Sequence, residues 1–129
     1  MNSPAEISCL FCSIPPDRAI IGNELAFAMR DGFPITDLHT LVIPRRHAAT
    51  YFDLQRDELL ACDDLIRELR DLIRTQDALV EGFNIGLNAG EVAGQTIFHC
   101  HFHIIPRRRG DVENPRGGVR HLIPGKGYY

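Results

Sequence analysis

Residues 99–105 read HCHFHII, so His99, His101 and His103 alternate with Cys100 and Phe102, and half of the chain's six histidines fall within five residues. In an extended strand successive side chains point to opposite faces. The three imidazoles then share one face, spaced about 6.6 Å apart along the backbone, while Cys100, Phe102 and Ile104 share the other. Rings so placed can bind one metal, form a hydrogen-bonded chain, or surround one substrate atom. Imidazole titrates near neutrality, which suits it to donate, accept or attack.

Further ligand chemistry lies elsewhere in the chain. Cys9 and Cys12 supply two thiols with C-x-x-C spacing, and His47 follows the segment LVIPRR. With one histidine of the row they make a two-cysteine, two-histidine set, a tetrahedral combination typical of structural zinc. Four protein ligands leave such a site no open position for a reacting water. The remaining thiols have a simpler reading. Cys62 falls on the apolar face of an expected helix and Cys100 points away from the row, so both read as buried small hydrophobes.

These residues need elements to hold them. AIIGNELAFAMR has two short apolar runs around Gly22-Asn23 and reads as a hairpin or a turn between strands. DGFPITD is a loop by its Gly, Pro and Asp content. LHTLVIP is a strand stopped by Pro44. From Leu54 to Gln76 the apolar residues Leu59, Cys62, Leu65, Ile66, Leu69, Leu72 and Ile73 recur at three- and four-residue spacing, which predicts one long amphipathic helix with Asp53 as its N-cap. GFNIGLNAG reads as a strand running into the loop EVAGQ, and TIFHCHFHII as the longest strand, closed by Pro106. Several short strands with one long helix between them give an α+β domain with an antiparallel sheet.

At 129 residues the chain is expected to be a single domain, 1–129, in which residues 112–129 form a mostly extended C-terminal tail. The net charge of −3 argues against a protein that grips nucleic acid by its overall field. No segment approaches the roughly 20 apolar residues of a membrane span. The first residues lack a secretory pattern, so the expected location is cytoplasmic, where disulfides are disfavoured.

HCHFHII also resembles the signature of the histidine triad (HIT) family, His-φ-His-φ-His-φ-φ with φ apolar. The approach NAGEVAGQTIFH is similar to that family's N-x-G-x-x-A-G-Q-[TS], and DGFPITDLHTLVIPRRH to its earlier nucleotide-binding segment, so the likeness runs from Cys9 to Asp111. It implies an antiparallel sheet of about five strands with one long helix and a short N-terminal helix or turn, usually paired as a homodimer. It implies attack on the α-phosphate of a nucleotide, with His101 as nucleophile and a covalent nucleotidyl-histidine that water or another acceptor resolves. Members with an N-terminal C-x-x-C use the first histidine of the row for zinc, which makes the metal set Cys9, Cys12, His47 and His99.

By the same resemblance His103 faces the phosphate and Gln95 contacts the phosphate or leaving group. Asn88, Gly94 and Thr96 belong to the loop around it, and Gly90 and Gly94 let backbone N–H groups approach closely. Asp31 stands where relatives contact the ribose, and Phe11 and Ile14 where they cover the base. His39 reads equally as a group behind the triad or as a structural histidine. Leu38 occupies a position that is glycine in many relatives. AGQT and the exit IPRRRGD look closer to the dinucleoside-polyphosphate hydrolases, so diadenosine polyphosphates are the expected substrate. Adenosine phosphoramidates or aminoacyl-adenylates are the alternative, and a zinc-stabilised nucleotide-binding module without turnover is the rival. Arg107, Arg108, Arg109, Arg116, Arg120 and Lys126 are either polyphosphate contacts or a solvated basic surface.

Overall fold

The computed structural model describes residues 8–129. The apolar runs either side of Gly22-Asn23 pair as a hairpin, β1 (Ile21–Gly22) with β2 (Ala26–Arg30). Asn23 makes the turn: its Oδ1 accepts the Leu25 and Ala26 N–H groups at 3.1 and 2.9 Å. A loop follows, then β3 (Thr40–Pro44), a helix α1 (Arg56–Gln76), β4 (Val80–Gly86) and β5 (Phe102–Arg108). The strands form one antiparallel sheet in the order β1-β2-β3-β5-β4. The expected α+β architecture of five strands and one long helix is the one found. The expected N-terminal turn is a 3-10 turn at Phe11–Ser13.

Strand alternation sorts the sheet into two faces. Ala26, Ala28, Val42 and Ile104 pack with Ala61, Cys62, Leu65, Leu69 and Ile73 of α1. Those helix positions recur at the three- and four-residue spacing that stacks side chains on one stripe. Phe27, Met29, Leu41 and Ile43 point the other way and are covered by Cys9 and Phe11 of the N-terminal segment. Leu41 is paired in register with His103, so His103 emerges on this second face.

Three boundaries differ from expectation. The helix begins at Arg56 with Gln55 as N-cap, and Gln55 and Glu58 form a reciprocal capping box. Asp53 instead caps with Thr50 across the preceding 3-10 turn, Tyr51–Asp53. β5 begins only at Phe102, so His99 and His101 precede the strand; there the chain turns aside and the Cys100 N–H donates to the Ala48 carbonyl at 2.7 Å. β5 also runs through Pro106 to Arg108. Its pairing with β3 ends at Ile104, beyond which it is bonded only to β4, and a residue without an N–H is tolerated on such a free side.

The segment 112–129 is more folded than an extended tail. It contains a 3-10 turn, Gly118–Leu122, and closes on itself: His121 meets Tyr128 edge-to-face with ring centres 4.5 Å apart, and the guanidinium groups of Arg116 and Arg120 each lie 4.8 Å from the Tyr129 ring centre. Among the described residues no helix is long and apolar enough to cross a membrane.

Candidate active site and metal centre

Cys9 and Cys12 flank Phe11 in the N-terminal turn, His47 follows the end of β3, and His99 precedes β5. Their ligand atoms lie within 4.8 Å of one another. The closest approaches are Cys9 Sγ to His99 Nδ1 at 3.3 Å, Cys12 Sγ to His47 Nδ1 at 3.3 Å and Cys12 Sγ to His99 Nδ1 at 3.5 Å. Tetrahedral zinc with bonds of about 2.3 Å to sulfur and 2.0 Å to nitrogen places such atoms about 3.6 Å apart. Distances and donor set therefore fit the metal. His99 is fully buried, and its Nε2 lies 2.7 Å from the Pro44 carbonyl. A carbonyl only accepts, so Nε2 carries the proton and Nδ1 turns its lone pair to the thiols, the usual way an outer partner orients a ligating histidine.

The second histidine is set by the same logic in reverse. His101 Nδ1 lies 2.8 Å from the His99 carbonyl, so Nδ1 donates and the Nε2 lone pair is left free. Phe11 meets this ring edge-on at 4.9 Å and the His99 ring at 6.0 Å, so one side chain spans the cysteine–histidine cluster and the candidate nucleophile. His101 and His103 stand with ring centres 5.3 Å apart. Behind His103, its Nδ1 lies 3.0 Å from Nε2 of the buried His39. Asp31 Oδ2 lies 3.4 Å from that His39 nitrogen and 3.8 Å from His103 Nδ1. Burial lowers the pKa of His39, opposed by the Asp31 charge. Burial also lowers that of His103, helped by His101 and His39 and opposed by Asp31.

His101 and His103 open into a cleft of about 410 Å³ whose walls include Phe11, Ile14, Asp31, Asn88, Gly94, Gln95 and Thr96. The sequence-predicted nucleotide-binding residues are thus brought to one cavity, of a size suited to a small organic ligand. Within it the donors are not equally available. Gln95 is buried, with Nε2 donating to the Ala49 and Ile97 carbonyls at 2.6 and 3.1 Å and Oε1 accepting the Gly90 N–H at 2.8 Å. Both amide hydrogens are taken, so Gln95 braces the loop in this arrangement. The Gly94 N–H is likewise held by the Glu91 carbonyl at 2.9 Å. Among the described residues, the Asn88 amide and the Thr96 hydroxyl keep no partner within the chain. Asp31 Oδ1 accepts the Phe33 N–H at 2.8 Å, which leaves Oδ2 between the cleft and the histidines.

The basic run lies elsewhere. Arg107 forms a bidentate pair with Asp111, Arg108 binds Asp77 and the Asp37 carbonyl, and Arg109 pairs with Glu81 on the surface. Arg107 and Arg108 line a separate groove of about 770 Å³ against the C-terminal segment, which shares no wall residue with the cleft. Sequence reasoning missed Met29 and Leu41 in the cleft wall, although alternation along two neighbouring strands could have placed them there. It also missed Arg18, the one cationic side chain among the described residues of that wall. Leu38 adopts φ +70°, the left-handed region that glycine enters without strain, in keeping with the glycine that the family resemblance implies there. Cys62 and Cys100 are buried thiols whose pKa burial pushes up to about 12, which makes them poor nucleophiles.

Residues 14–110 match the HIT domain. The chain belongs to the HIT family. It is 38% identical over 111 residues to an uncharacterized 16.1 kDa HIT-like protein of Mycoplasma pneumoniae, covering 82% of this chain and 76% of that one. It is 30% identical over 108 residues to the adenosine 5'-monophosphoramidase HNT1 of Candida albicans, covering 78% and 71%. Among solved structures it is similar to a zinc-bound histidine triad family protein from Mycobacterium smegmatis, with TM-score 0.75, 34% identity, and 82% of this chain and 79% of that one covered. The HIT fold accounts for the sheet order and the long helix of this chain.

Proposed function

We propose that this HIT protein is a nucleotide hydrolase or transferase that acts on the α-phosphate through a covalent nucleotidyl-His101. The observation that carries the reading is the His101 Nδ1 contact to the His99 carbonyl at 2.8 Å, which leaves Nε2 unprotonated at the cleft. Nε2 uses its lone pair to form a bond to phosphorus as the bond to the leaving group breaks; the leaving group departs with the bonding pair and takes up a proton, which the attacking water releases in the second step. Water or another acceptor then adds at the same phosphorus, and the bond to His101 breaks. His103 stands beside the reacting phosphate to donate to a non-bridging oxygen, and Phe11 with Ile14 offers an apolar wall for the base. Asp31 and Asn88 are the polar groups offered to the sugar and the phosphate.

We take the substrate to be a nucleoside 5'-phosphate carrying an amine, of the adenosine phosphoramidate class. The Candida albicans relative's name supports this, and so does the pairing of Arg107 and Arg108 with carboxylates away from the cleft. Diadenosine polyphosphates are the second reading, supported by the resemblance of AGQT and IPRRRGD to that branch. Zinc on Cys9, Cys12, His47 and His99 is proposed from the donor set, supported by the zinc-bound Mycobacterium smegmatis relative. Bound there, it would cross-link the N-terminal segment to the chain beside His101 and take no part in the displacement. A homodimer is proposed through the open edge of β4, where Ile85 is exposed, together with exposed Leu122 and Tyr128 of the C-terminal segment.

The test is turnover of adenosine phosphoramidate and diadenosine polyphosphates by the parent and His101→Ala. The expected result is loss of at least about 10³-fold in kcat/KM for the variant on the preferred substrate. Unchanged turnover in the variant removes the nucleophile assignment. Nucleotide binding with neither turnover nor a trapped nucleotidyl-histidine identifies a binding module.

A further inference from the structure

His39 lies outside the cleft wall, yet it is buried and held on both sides by backbone. Its N–H donates to the Thr36 carbonyl at 3.1 Å and its carbonyl accepts the Asp31 N–H at 2.9 Å. Its ring has a definite proton placement. The Ile35 backbone N–H points at His39 Nδ1 at 3.2 Å, and a backbone N–H can only donate. Nδ1 therefore holds a lone pair, and the proton of the neutral ring is on Nε2. That Nε2–H has two neighbours, His103 Nδ1 at 3.0 Å and Asp31 Oδ2 at 3.4 Å. His103 Nδ1 is the nearer and acts as acceptor, so the proton of a neutral His103 is on its Nε2, the nitrogen remote from His39.

We propose that His39 is a positioning residue that fixes the tautomer of His103, through a chain running from the Ile35 N–H to His39 and on to His103, so that His103 presents an N–H to the substrate phosphate. The inference rests on the proposed nucleotide reaction for its functional consequence, but the proton placement stands on geometry alone. Without His39 the His103 ring divides between two tautomers. One of them turns a lone pair toward the phosphate oxygens, which repels the charge that the transition state gathers there. Asp31, the further neighbour, favours a proton on either ring and so keeps the pair hydrogen-bonded. Burial holds both rings toward the neutral form in which the tautomer matters.

The same three side chains also have the makings of a two-histidine, one-carboxylate metal site, since their ligand atoms lie within 4.8 Å of one another. Proton counting decides against it. A cation would need the lone pair of His39 Nε2 while the Ile35 N–H already occupies that of Nδ1, which leaves the ring with no proton at all. The arrangement is a relay of hydrogen bonds.

Long-range proton–nitrogen NMR of the ¹⁵N-labelled, metal-loaded full chain reads each imidazole tautomer directly. The expected result is His103 with its proton on Nε2. In His39→Phe the His103 signals should move toward a tautomer mixture, with kcat on the preferred nucleotide falling about 10- to 100-fold and KM changing far less. His39→Gln, whose amide can donate to His103 Nδ1, should restore most of both. A parent His103 protonated on Nδ1, or an unchanged Nε2–H tautomer in folded His39→Phe, overturns the proposal. If His39→Phe does not fold, the parent spectrum alone decides. His101→Ala should abolish turnover while leaving the His103 tautomer in place, so loss of the functional reading and loss of this one are separately visible.

Discussion

Glu58 sits in the first turn of α1, buried, and receives the Arg46 guanidinium through two contacts of 2.9 and 2.8 Å. Arg46 also donates to the Asp53 carbonyl at 2.8 Å and is the residue before His47, so this pair ties the arm that carries a candidate metal ligand to the helix. Glu58→Gln keeps the shape and keeps an oxygen for the Gln55 N–H, which Glu58 accepts at 2.8 Å. It removes the charge and sets an amide N–H₂ against guanidinium donors. Hydrogen bonds to charged groups contribute about 1.5–3 kcal/mol. The Arg46 side chain is 47% exposed and can turn to water, so the expected loss is discounted to about 1–2 kcal/mol. At this chain length that lowers Tm by roughly 4 °C per kcal/mol.

The acid dependence gives the sharper check. The Glu58 carboxyl is held below its ordinary value, chiefly by the Arg46 hydrogen bond. A lowered folded pKa contributes stability that is fully present above the unfolded value, about 4.3, and is lost as pH falls through the folded one. Urea unfolding of metal-loaded parent and Glu58→Gln should show a constant gap from pH 7 to about pH 5 that narrows below about pH 4. A gap under about 0.5 kcal/mol at pH 7, or one that does not narrow in acid, refutes the reasoning.

Other outcomes follow from the same geometry. Elemental analysis should find about one zinc per chain, and Cys12→Ser or a strong chelator should remove it and lower Tm by more than about 10 °C; a metal-free chain with unchanged Tm would sink the site. Gln95→Leu removes three hydrogen bonds to backbone at once and should cost about 3 kcal/mol, with faster amide exchange across residues 88–97. Unchanged exchange there would show that the glutamine does not brace the loop. A Cβ at Gly127 would lie 2.0 Å from the His121 ring, so Gly127→Val must push that ring off Tyr128. It should open residues 112–129 to protease while leaving nucleotide turnover intact, because the cleft shares no wall residue with that segment's groove.

Much of the architecture was legible because it rests on local periodicity. The α1 stripe from Ala61 to Ile73, the hairpin at Asn23 and the strand ending at Pro44 each follow from spacing and turn chemistry within a dozen residues. Boundaries failed where several groups, near or distant in the chain, compete. Asp53 is a good N-cap by type, yet Thr50 claims it and Gln55 with Glu58 caps the helix. The row HCHFHII reads as one flat strand by alternation, but the Ala48 carbonyl draws Cys100 out of the ladder and β5 starts at Phe102. The family resemblance implies that Gln95 contacts the phosphate or leaving group; spacing gave no sign that its amide is bonded to three backbone groups, one 46 residues away.

By itself the sequence determined which candidate chemistry this protein offers. Histidines at alternate positions, a C-x-x-C and His47 are residue types whose ligand and nucleophile chemistry holds in any fold that brings them together. Tertiary structure alone decided what each nitrogen does. Imidazole is symmetric enough that its proton goes wherever the neighbours dictate, and here those neighbours are remote in the chain or are backbone. The Pro44 carbonyl turns His99 to the thiols, the His99 carbonyl frees Nε2 of His101, and the Ile35 N–H, acting through His39, directs the proton of His103. Residue spacing says nothing about those contacts, because a hydrogen bond is settled by the few tenths of an ångström that only packing fixes.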